Sequence, residues 1–163
     1  MASGNTLVTF KPYDNEPPTS NFATIDLRNN HPVLDFDGST NESCYFTGVM
    51  PRIYAGGGVT VYIHYAMTSA TSGDIDWDIS FECIGDQQQD LDSDGFASVK
   101  SVDNTTVPST SGNVDIVSLG FTNGAEINNA SVGDSFRIKI TRDAVSDTAT
   151  GDAELIAVEI KET

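Results

Sequence analysis

Basic residues are scarce in this sequence. Its 163 residues include 8 Lys and Arg against 24 Asp and Glu, which gives a net charge of -16. A chain with this charge repels the phosphates of nucleic acids and the surfaces of anionic membranes. We therefore expect neither nucleic acid nor a membrane among its partners.

Long apolar segments are also absent from the sequence. No run approaches the roughly 18 apolar residues that a membrane-spanning helix needs. The first residues, MASGNTLVTF, contain neither the basic start nor the apolar centre of a secretory signal. We expect synthesis and folding in a cytoplasm without a signal peptide, and a role outside the cell would then follow release by lysis.

Residues that commonly carry out catalysis are few. The two histidines, His31 and His64, have no third ligand or base nearby in sequence, and structural roles are the better interpretation of both. The sequence lacks the nucleophile, zinc and phosphate-loop motifs of common enzymes. Paired carboxylates can support glycoside hydrolysis, but a row such as Asp74, Asp76 and Asp78 is more typical of a solvated strand face. We predict that the protein is not an enzyme.

The only cysteines, Cys44 and Cys83, both fall in predicted strands. Strands that are distant in sequence can be neighbours in a sheet, so a disulfide between the two is one interpretation. The other is a pair of small buried thiols, which cytoplasmic synthesis favours because that compartment keeps cysteines reduced.

Apolar and polar residues alternate with period two along most of the chain, which predicts β-strands. In the segment DIDWDISFECI, Ile75, Trp77 and Ile79 fall on one face, and Asp74 and Asp76 fall on the other. We predict strands at residues 5–10, 22–28, 31–36, 42–50, 58–67, 74–84, 96–102, 113–121, 135–142 and 151–162. Strands that are apolar on one face and joined by polar turns predict an all-β fold, an antiparallel two-sheet β-sandwich of the jelly-roll type.

Prolines set the N-terminal segment apart from the rest of the chain. Pro12, Pro17 and Pro18 lie in KPYDNEPPTS, which predicts an irregular extended connection. We assign residues 1–20 to an extended N-terminal arm and residues 21–163 to the β-sandwich domain. Such an arm could bind a neighbouring subunit by adding a strand or by lying in a groove.

The segment GDQQQDLDSDGF contains the start of a calcium-binding loop. Asp90, Asp92 and Asp94 offer carboxylates at alternating positions, and Gly95 permits a sharp turn. The glutamate expected at the twelfth position of such a loop is replaced by Ser101, so calcium would need other ligands, with Asp86 or Asp103 as candidates. The alternative is a solvated hairpin tip in which Asp and Gly supply the turn geometry. Calcium at the three aspartates is the one cofactor that the sequence suggests.

Exposed aromatic residues, which jelly-roll carbohydrate-binding modules use to hold sugars, are few in the predicted strands. Trp77, the only tryptophan, shares a face with Ile75 and Ile79, so we expect it in the core. Among the tyrosines, Tyr62 is the best exposed candidate. Glycan binding stays open as an alternative, although few exposed aromatic side chains are available to contact a sugar.

Two segments resemble small acidic β-sandwich proteins encoded by tailed bacteriophages. The first runs from HPVLDF to FECIGD, residues 31–86, and the second from SFRIKITR to AVEIKET, residues 135–163. Such proteins are virion components, either capsid decoration (cement) proteins or modules of head and tail fibres. The resemblance implies a symmetric oligomer, often a trimer, on a capsid lattice, and it implies no catalytic residues.

Two main hypotheses follow from the residues and the resemblance together. The first is a non-enzymatic phage virion structural protein, a capsid decoration protein on the virion surface that stabilises the head. Its partners would be the major capsid protein and its own copies in a homotrimer. The alternative is a host-recognition or carbohydrate-binding module of a head or tail fibre, with a glycan as its ligand. A calcium-dependent adhesion domain is a third hypothesis.

Overall fold

The structure, a computed structural model, describes residues 4–163. Within this range the chain forms ten strands and two short 3-10 turns, at Pro12–Asp14 and Ala125–Ile127. The strands are β1 (Thr6–Phe10), β2 (Thr24–Arg28), β3 (His31–Phe36), β4 (Glu42–Val49), β5 (Val59–Met67), β6 (Asp74–Ile84), β7 (Lys100–Thr106), β8 (Val114–Phe121), β9 (Ser135–Arg142) and β10 (Ala153–Glu162). No helix among the residues described has the length and apolar character that crossing a membrane requires.

The strands form two sheets, and every strand pair is antiparallel. The six-stranded sheet has the order β2-β3-β10-β5-β8, and β1 also pairs with β10. The four-stranded sheet has the order β4-β9-β6-β7. This arrangement confirms the predicted fold class, an all-β antiparallel two-sheet β-sandwich of the jelly-roll type.

The core lies between the two sheets and is built from the apolar faces of the strands. Trp77 is fully buried, as predicted. Its ring packs edge to face against Phe36, at 5.2 Å between centroids, and against Tyr65, at 5.6 Å. Since β3 and β5 belong to one sheet and β6 to the other, these aromatic contacts join the two sheets.

The predicted strand at residues 96–102 is displaced in the structure, where β7 begins at Lys100. Phe96 does not pair in a strand. Its ring packs instead against Tyr45, at 5.2 Å between centroids, and the Ala97 amide donates a hydrogen bond to the Phe81 carbonyl. The sequence pattern pointed to a strand here because Phe96 is apolar, whereas the ring is held on a sheet surface.

Part of the segment predicted as an arm lies in the sandwich of this chain. Residues 6–10 form β1, with Val8 opposite Ile160 and Phe10 opposite Val158 of β10. Residues 1–3 lie outside the described residues. The division into an arm at 1–20 and a domain at 21–163 stays a prediction, to which the structure adds the pairing of β1 with β10.

Both cysteines are buried as free thiols. Cys44 on β4 pairs with Ile140, and Cys83 on β6 pairs with Phe136. Because β9 lies between β4 and β6, the two sulfur atoms cannot meet, and the disulfide interpretation is wrong. Burial raises the pKa of the Cys83 thiol to about 11 and that of Cys44 further.

Two features of the six-stranded sheet place residues together on its outer surface. Arg28 and His31 flank the two-residue turn Asn29–Asn30 and lie opposite each other on β2 and β3. Both turn residues have positive φ, as the tight hairpin turn requires. In addition, β3 and β1 pair with different halves of β10, so the end of β1 meets the start of β3.

Candidate functional site

A groove of about 360 Å³ crosses the outer surface of the six-stranded sheet. It is called the sheet groove below. Its lining comes from β2, β3, β10, β5 and β8 and from the turns at their ends: Arg28, Asn29, His31, Val33, Ala66, Gly112, Val114, Glu154 and Ile156.

The floor of the sheet groove is apolar because several strands place an apolar residue at an outward-facing position. Outward-facing positions of a sheet are usually polar, yet Val33, Ala66, Val114 and Ile156 lie on this surface. Val33 and Ala66 are buried, whereas Val114, on the edge strand β8, is 53% exposed. An apolar floor with a few polar groups at its rim is the general character of a small-molecule site.

Arg28 and Glu154 form the charged rim of the sheet groove. The Arg28 side chain reaches over β3, and its Nη1 donates hydrogen bonds to Oε2 of Glu154 and, at 2.9 Å, to the Met67 carbonyl. Within residues 4–163, Nε and Nη2 of Arg28 donate to no protein acceptor, so these N–H groups are available to a ligand. Gly112, at positive φ, allows the close approach of the guanidinium, since a Cβ there would lie 2.9 Å from Nη2.

A second concavity adjoins the sheet groove and is called the Tyr13 trough. Its lining residues are Lys11, Pro12, Tyr13, His31, Pro32 and Ile156. His31 and Ile156 line both concavities, so the two are neighbours on the surface. The His31 ring is oriented by a 3.2 Å contact between its Nδ1 and the Arg28 carbonyl oxygen.

Asp35 lies beside the sheet groove, opposite Glu154 in the β3–β10 register. Burial, together with the negative charges of Asp152, Glu154, Asp26 and Glu42, raises the pKa of Asp35 to about 6. Its Oδ1 atom is buried and accepts no hydrogen bond in the described part of the chain. The local electrostatics therefore disfavour a further negative charge at this end of the groove.

The histidine and tyrosine predicted on the outer face of β5 do not line the sheet groove. Tyr62 and His64 face outward and are half-buried, and they lie opposite Ser118 and Ile116 of β8. Tyr62 is thus on the same sheet surface as the groove but further along β5. The sequence pattern indicated Tyr62 as the exposed aromatic residue that could contact a sugar, and it gave no indication of Tyr13.

The row of acids on β6 is held mainly by neighbouring strands of the four-stranded sheet. Glu82 accepts a hydrogen bond from Nη1 of Arg137 at 3.0 Å, whereas Asp74 accepts one from the Thr106 hydroxyl at 2.8 Å. The Arg137 guanidinium lies over the rings of Tyr45, at 4.9 Å, and Phe96, at 5.4 Å. This cluster anchors the end of the aspartate loop, residues 85–95, to the sheet.

The structure does not bring the three aspartates of the predicted calcium loop together around one point. The Asp90 amide donates a hydrogen bond to Oδ2 of Asp94, and the Asp92 amide donates one to Oδ1 of Asp90 at 3.0 Å. Two of the three carboxylates thus stabilise the turn itself. Among residues 4–163, no group of three or more His, Cys, Asp and Glu side chains is placed to hold a metal ion. Calcium at Asp90, Asp92 and Asp94 stays a prediction.

Similar folds are found among solved structures, although the sequence itself matches little. No protein-family model matches the chain, and no similar sequence is found among curated proteins. A family 35 carbohydrate-binding module from an environmental isolate superposes with a TM-score of 0.55 at 13% identity, covering 95% of this chain and 93% of that module.

Two further modules have the same fold. The xylan-binding module CBM15 gives a TM-score of 0.52 at 10% identity, over 98% of each chain. The C-terminal CBM6 of LamC from Zobellia galactanivorans also gives 0.52 at 10% identity, over 94% of this chain and 98% of that module. At such identities the likeness shows a shared jelly-roll fold. All three of these neighbours are carbohydrate-binding modules.

Proposed function

We propose that the chain is a non-catalytic carbohydrate-binding module and that its glycan lies in the sheet groove. The observation that carries the proposal is the groove itself, an apolar floor bordered by free guanidinium N–H groups on a fold whose solved neighbours are carbohydrate-binding modules.

The chemistry of the groove suits a sugar. A sugar ring presents patches of C–H groups beside hydroxyl groups, so it needs apolar contact and hydrogen-bond partners in the same place. Val114 and Ile156 offer the contact. The Arg28 guanidinium and the Asn29 side chain offer hydrogen-bond partners at the rim. Since burial and nearby acids already raise the pKa of Asp35, a ligand without additional negative charge beside it is favoured.

The test is binding to a panel of polysaccharides that includes xylan, a β-1,3-glucan and a β-1,3-galactan, measured by affinity electrophoresis and by a glycan array. We expect at least one of them to retard the wild-type chain. Val114→Arg, which puts a long cationic side chain into the groove, should abolish the retardation.

Val145→Arg is the matched control, because Val145 is 75% exposed and does not line the groove. It makes the same change in charge and size at a remote surface position and should leave binding intact. Absence of any bound glycan in the wild type would contradict the proposal. Equal binding by Val114→Arg would show that the ligand lies elsewhere.

The virion role is a separate proposal. Placement on a phage capsid or fibre, contact with a major capsid protein, assembly as a homotrimer and synthesis in a host cytoplasm rest on the resemblance of residues 31–86 and 135–163. The fold neighbours neither require nor oppose these assignments. Mass spectrometry of purified particles would test them, with hundreds of copies expected for a decoration protein and a few dozen for a fibre module.

A further inference from the structure

Tyr13 is an aromatic residue that the fold leaves on the surface. Its side chain is 68% exposed, whereas Tyr54 and Tyr65 are buried and donate hydrogen bonds from their hydroxyl groups to Asn123 and Asp115. Tyr13 donates no such bond to the residues described. A rigid ring of this size, kept in solvent next to a groove, is suited to contact with a ligand.

The backbone around Tyr13 is fixed. The Lys11 amide donates a hydrogen bond to Oδ2 of Asp14 at 2.7 Å, and the Asp14 amide donates one back to the Lys11 carbonyl at 2.9 Å. Pro12 is buried, and its ring restricts φ. The Glu16 amide then ties the following segment to the Tyr45 carbonyl at 2.8 Å. A ring presented on such a turn loses little freedom when a ligand binds.

The Tyr13 trough adjoins the sheet groove. His31 and Ile156 belong to both. From Val114 on β8 the combined surface crosses β5 and β10 to reach β3, three steps of about 4.8 Å between neighbouring strands, or about 14 Å. Tyr13 lies beside the start of β3, where β1 ends. The surface is therefore longer than a single sugar ring.

We infer that Tyr13 is the aromatic platform of the glycan site and that the ligand is an extended oligosaccharide running from the sheet groove across His31 and Ile156 onto the Tyr13 ring. This inference rests on the proposed function and specifies it. The π face of a tyrosine carries negative charge and attracts the weakly positive C–H groups of a sugar ring, which also lose contact with water. Lys11 and His31 stand on either side with groups that can hydrogen-bond hydroxyl oxygens.

The experiment is titration calorimetry with a short and a long oligosaccharide of the polysaccharide retained in the panel, which for xylan means xylobiose and xylohexaose. Tyr13→Ala should weaken binding of the long oligosaccharide about tenfold, equivalent to about 1.4 kcal/mol. Tyr13→Phe keeps the ring and should bind within about twofold of wild type, because the stacking contact does not need the hydroxyl.

Tyr62→Ala is the matched control, since Tyr62 is on the same sheet surface but lines neither concavity. It should bind like wild type. Wild type should also prefer the long oligosaccharide, and Tyr13→Ala should reduce that preference.

Two failures are distinguishable. If the wild type binds but Tyr13→Ala binds equally well, the proposed function stands and the platform role of Tyr13 is overturned. If the wild type binds no glycan, the proposed function fails and this inference fails with it. Because Tyr13 is exposed, thermal melting of Tyr13→Ala should match wild type, which separates a loss of contact from a loss of fold.

Discussion

Arg28, on the edge strand β2, forms an ion pair with Glu154 on β10, two strands away in the same sheet. Glu154 is only 6% exposed, and the Arg28 side chain covers its carboxylate on the solvent side. One contact thus does two things: it compensates a nearly buried charge, and it sets the position of the guanidinium at the rim of the groove.

Removal of Arg28 should therefore destabilise the fold. Arg28→Met leaves the Glu154 carboxylate nearly buried and without its cation, and we expect a loss of about 2 kcal/mol in the free energy of unfolding, below the full cost of a wholly buried pair because Arg28 is partly exposed. Urea denaturation would measure it. Lys100→Met is the control, since it breaks an ion pair with Glu126 in which both side chains are 38% exposed, together with a hydrogen bond from Nζ to the Gly120 carbonyl, and it should cost less than about 1 kcal/mol.

The same pair can be examined by a double-mutant cycle. Glu154→Gln removes the charge that Arg28 compensates, so Arg28→Met should cost much less in that background. An equal cost in both backgrounds would mean that Arg28 stabilises the fold through its other contacts, such as the hydrogen bond to the Met67 carbonyl, and not through Glu154.

Asp35 should make stability depend on pH between about 4 and 6. The folded state holds the Asp35 proton with a pKa of about 6, above the ordinary value of 3.8. In this window the folded state binds more protons than the unfolded state, so the contribution of Asp35 favours folding at low pH and is lost as the pH rises through 6.

Asp35→Asn should then raise stability at pH 7, by about 1 kcal/mol once the partial exposure of the group is allowed for. The gain should shrink towards pH 4, where the wild-type carboxyl is protonated. Melting temperatures of both proteins at pH 4, 5, 6 and 7 would show the difference. A constant difference across this range would contradict the assigned titration.

Phe96 should hold the aspartate loop on the four-stranded sheet. Its ring lies against Tyr45 and beneath the Arg137 guanidinium. Phe96→Ala removes both contacts and should cost about 1 kcal/mol. Amide exchange within residues 85–95 should become faster, while exchange in β6 changes little. Leu91→Ala is the control, because Leu91 is exposed within the same loop and its removal should leave exchange unchanged.

Strand periodicity was enough to predict the sandwich, because the sheets bury one face of nearly every strand. Burial along β9 alternates in the structure as the residues do in the sequence, whereas β6 also buries Asp76, Ser80 and Glu82 of its polar face. The groove was not predictable in the same way. It depends on an apolar residue at an outward position of each of several strands, and only the strand order shows that Val33, Ala66 and Ile156 are neighbours.

Tyr13 was missed for a different reason. The prolines around it indicated an extended arm, and nothing local shows that Pro12 is buried against the start of β3. The position of Arg28 beside His31, by contrast, could have been predicted from the sequence. The segment RNNH between two predicted strands is a two-residue hairpin turn, which would have placed Arg28 next to His31. The contact of Arg28 with Glu154 could still not have been predicted without the strand order.

Calcium binding by the aspartate loop can be tested by thermal melting. Asp90 and Asp94 already accept hydrogen bonds from amides of the loop, so calcium binding would have to compete with these bonds. Calcium at Asp90, Asp92 and Asp94 predicts a higher thermal midpoint in calcium than in chelator, because an ion that binds only the folded state stabilises it by about 2.7 kcal/mol at a hundredfold excess over its dissociation constant. Asp92→Asn should remove this response, whereas Asp26→Asn, on β2 outside the loop, should keep it. A wild-type midpoint that is the same in calcium and in chelator would rule out a tight site and leave the segment as a solvated turn anchored by Phe96.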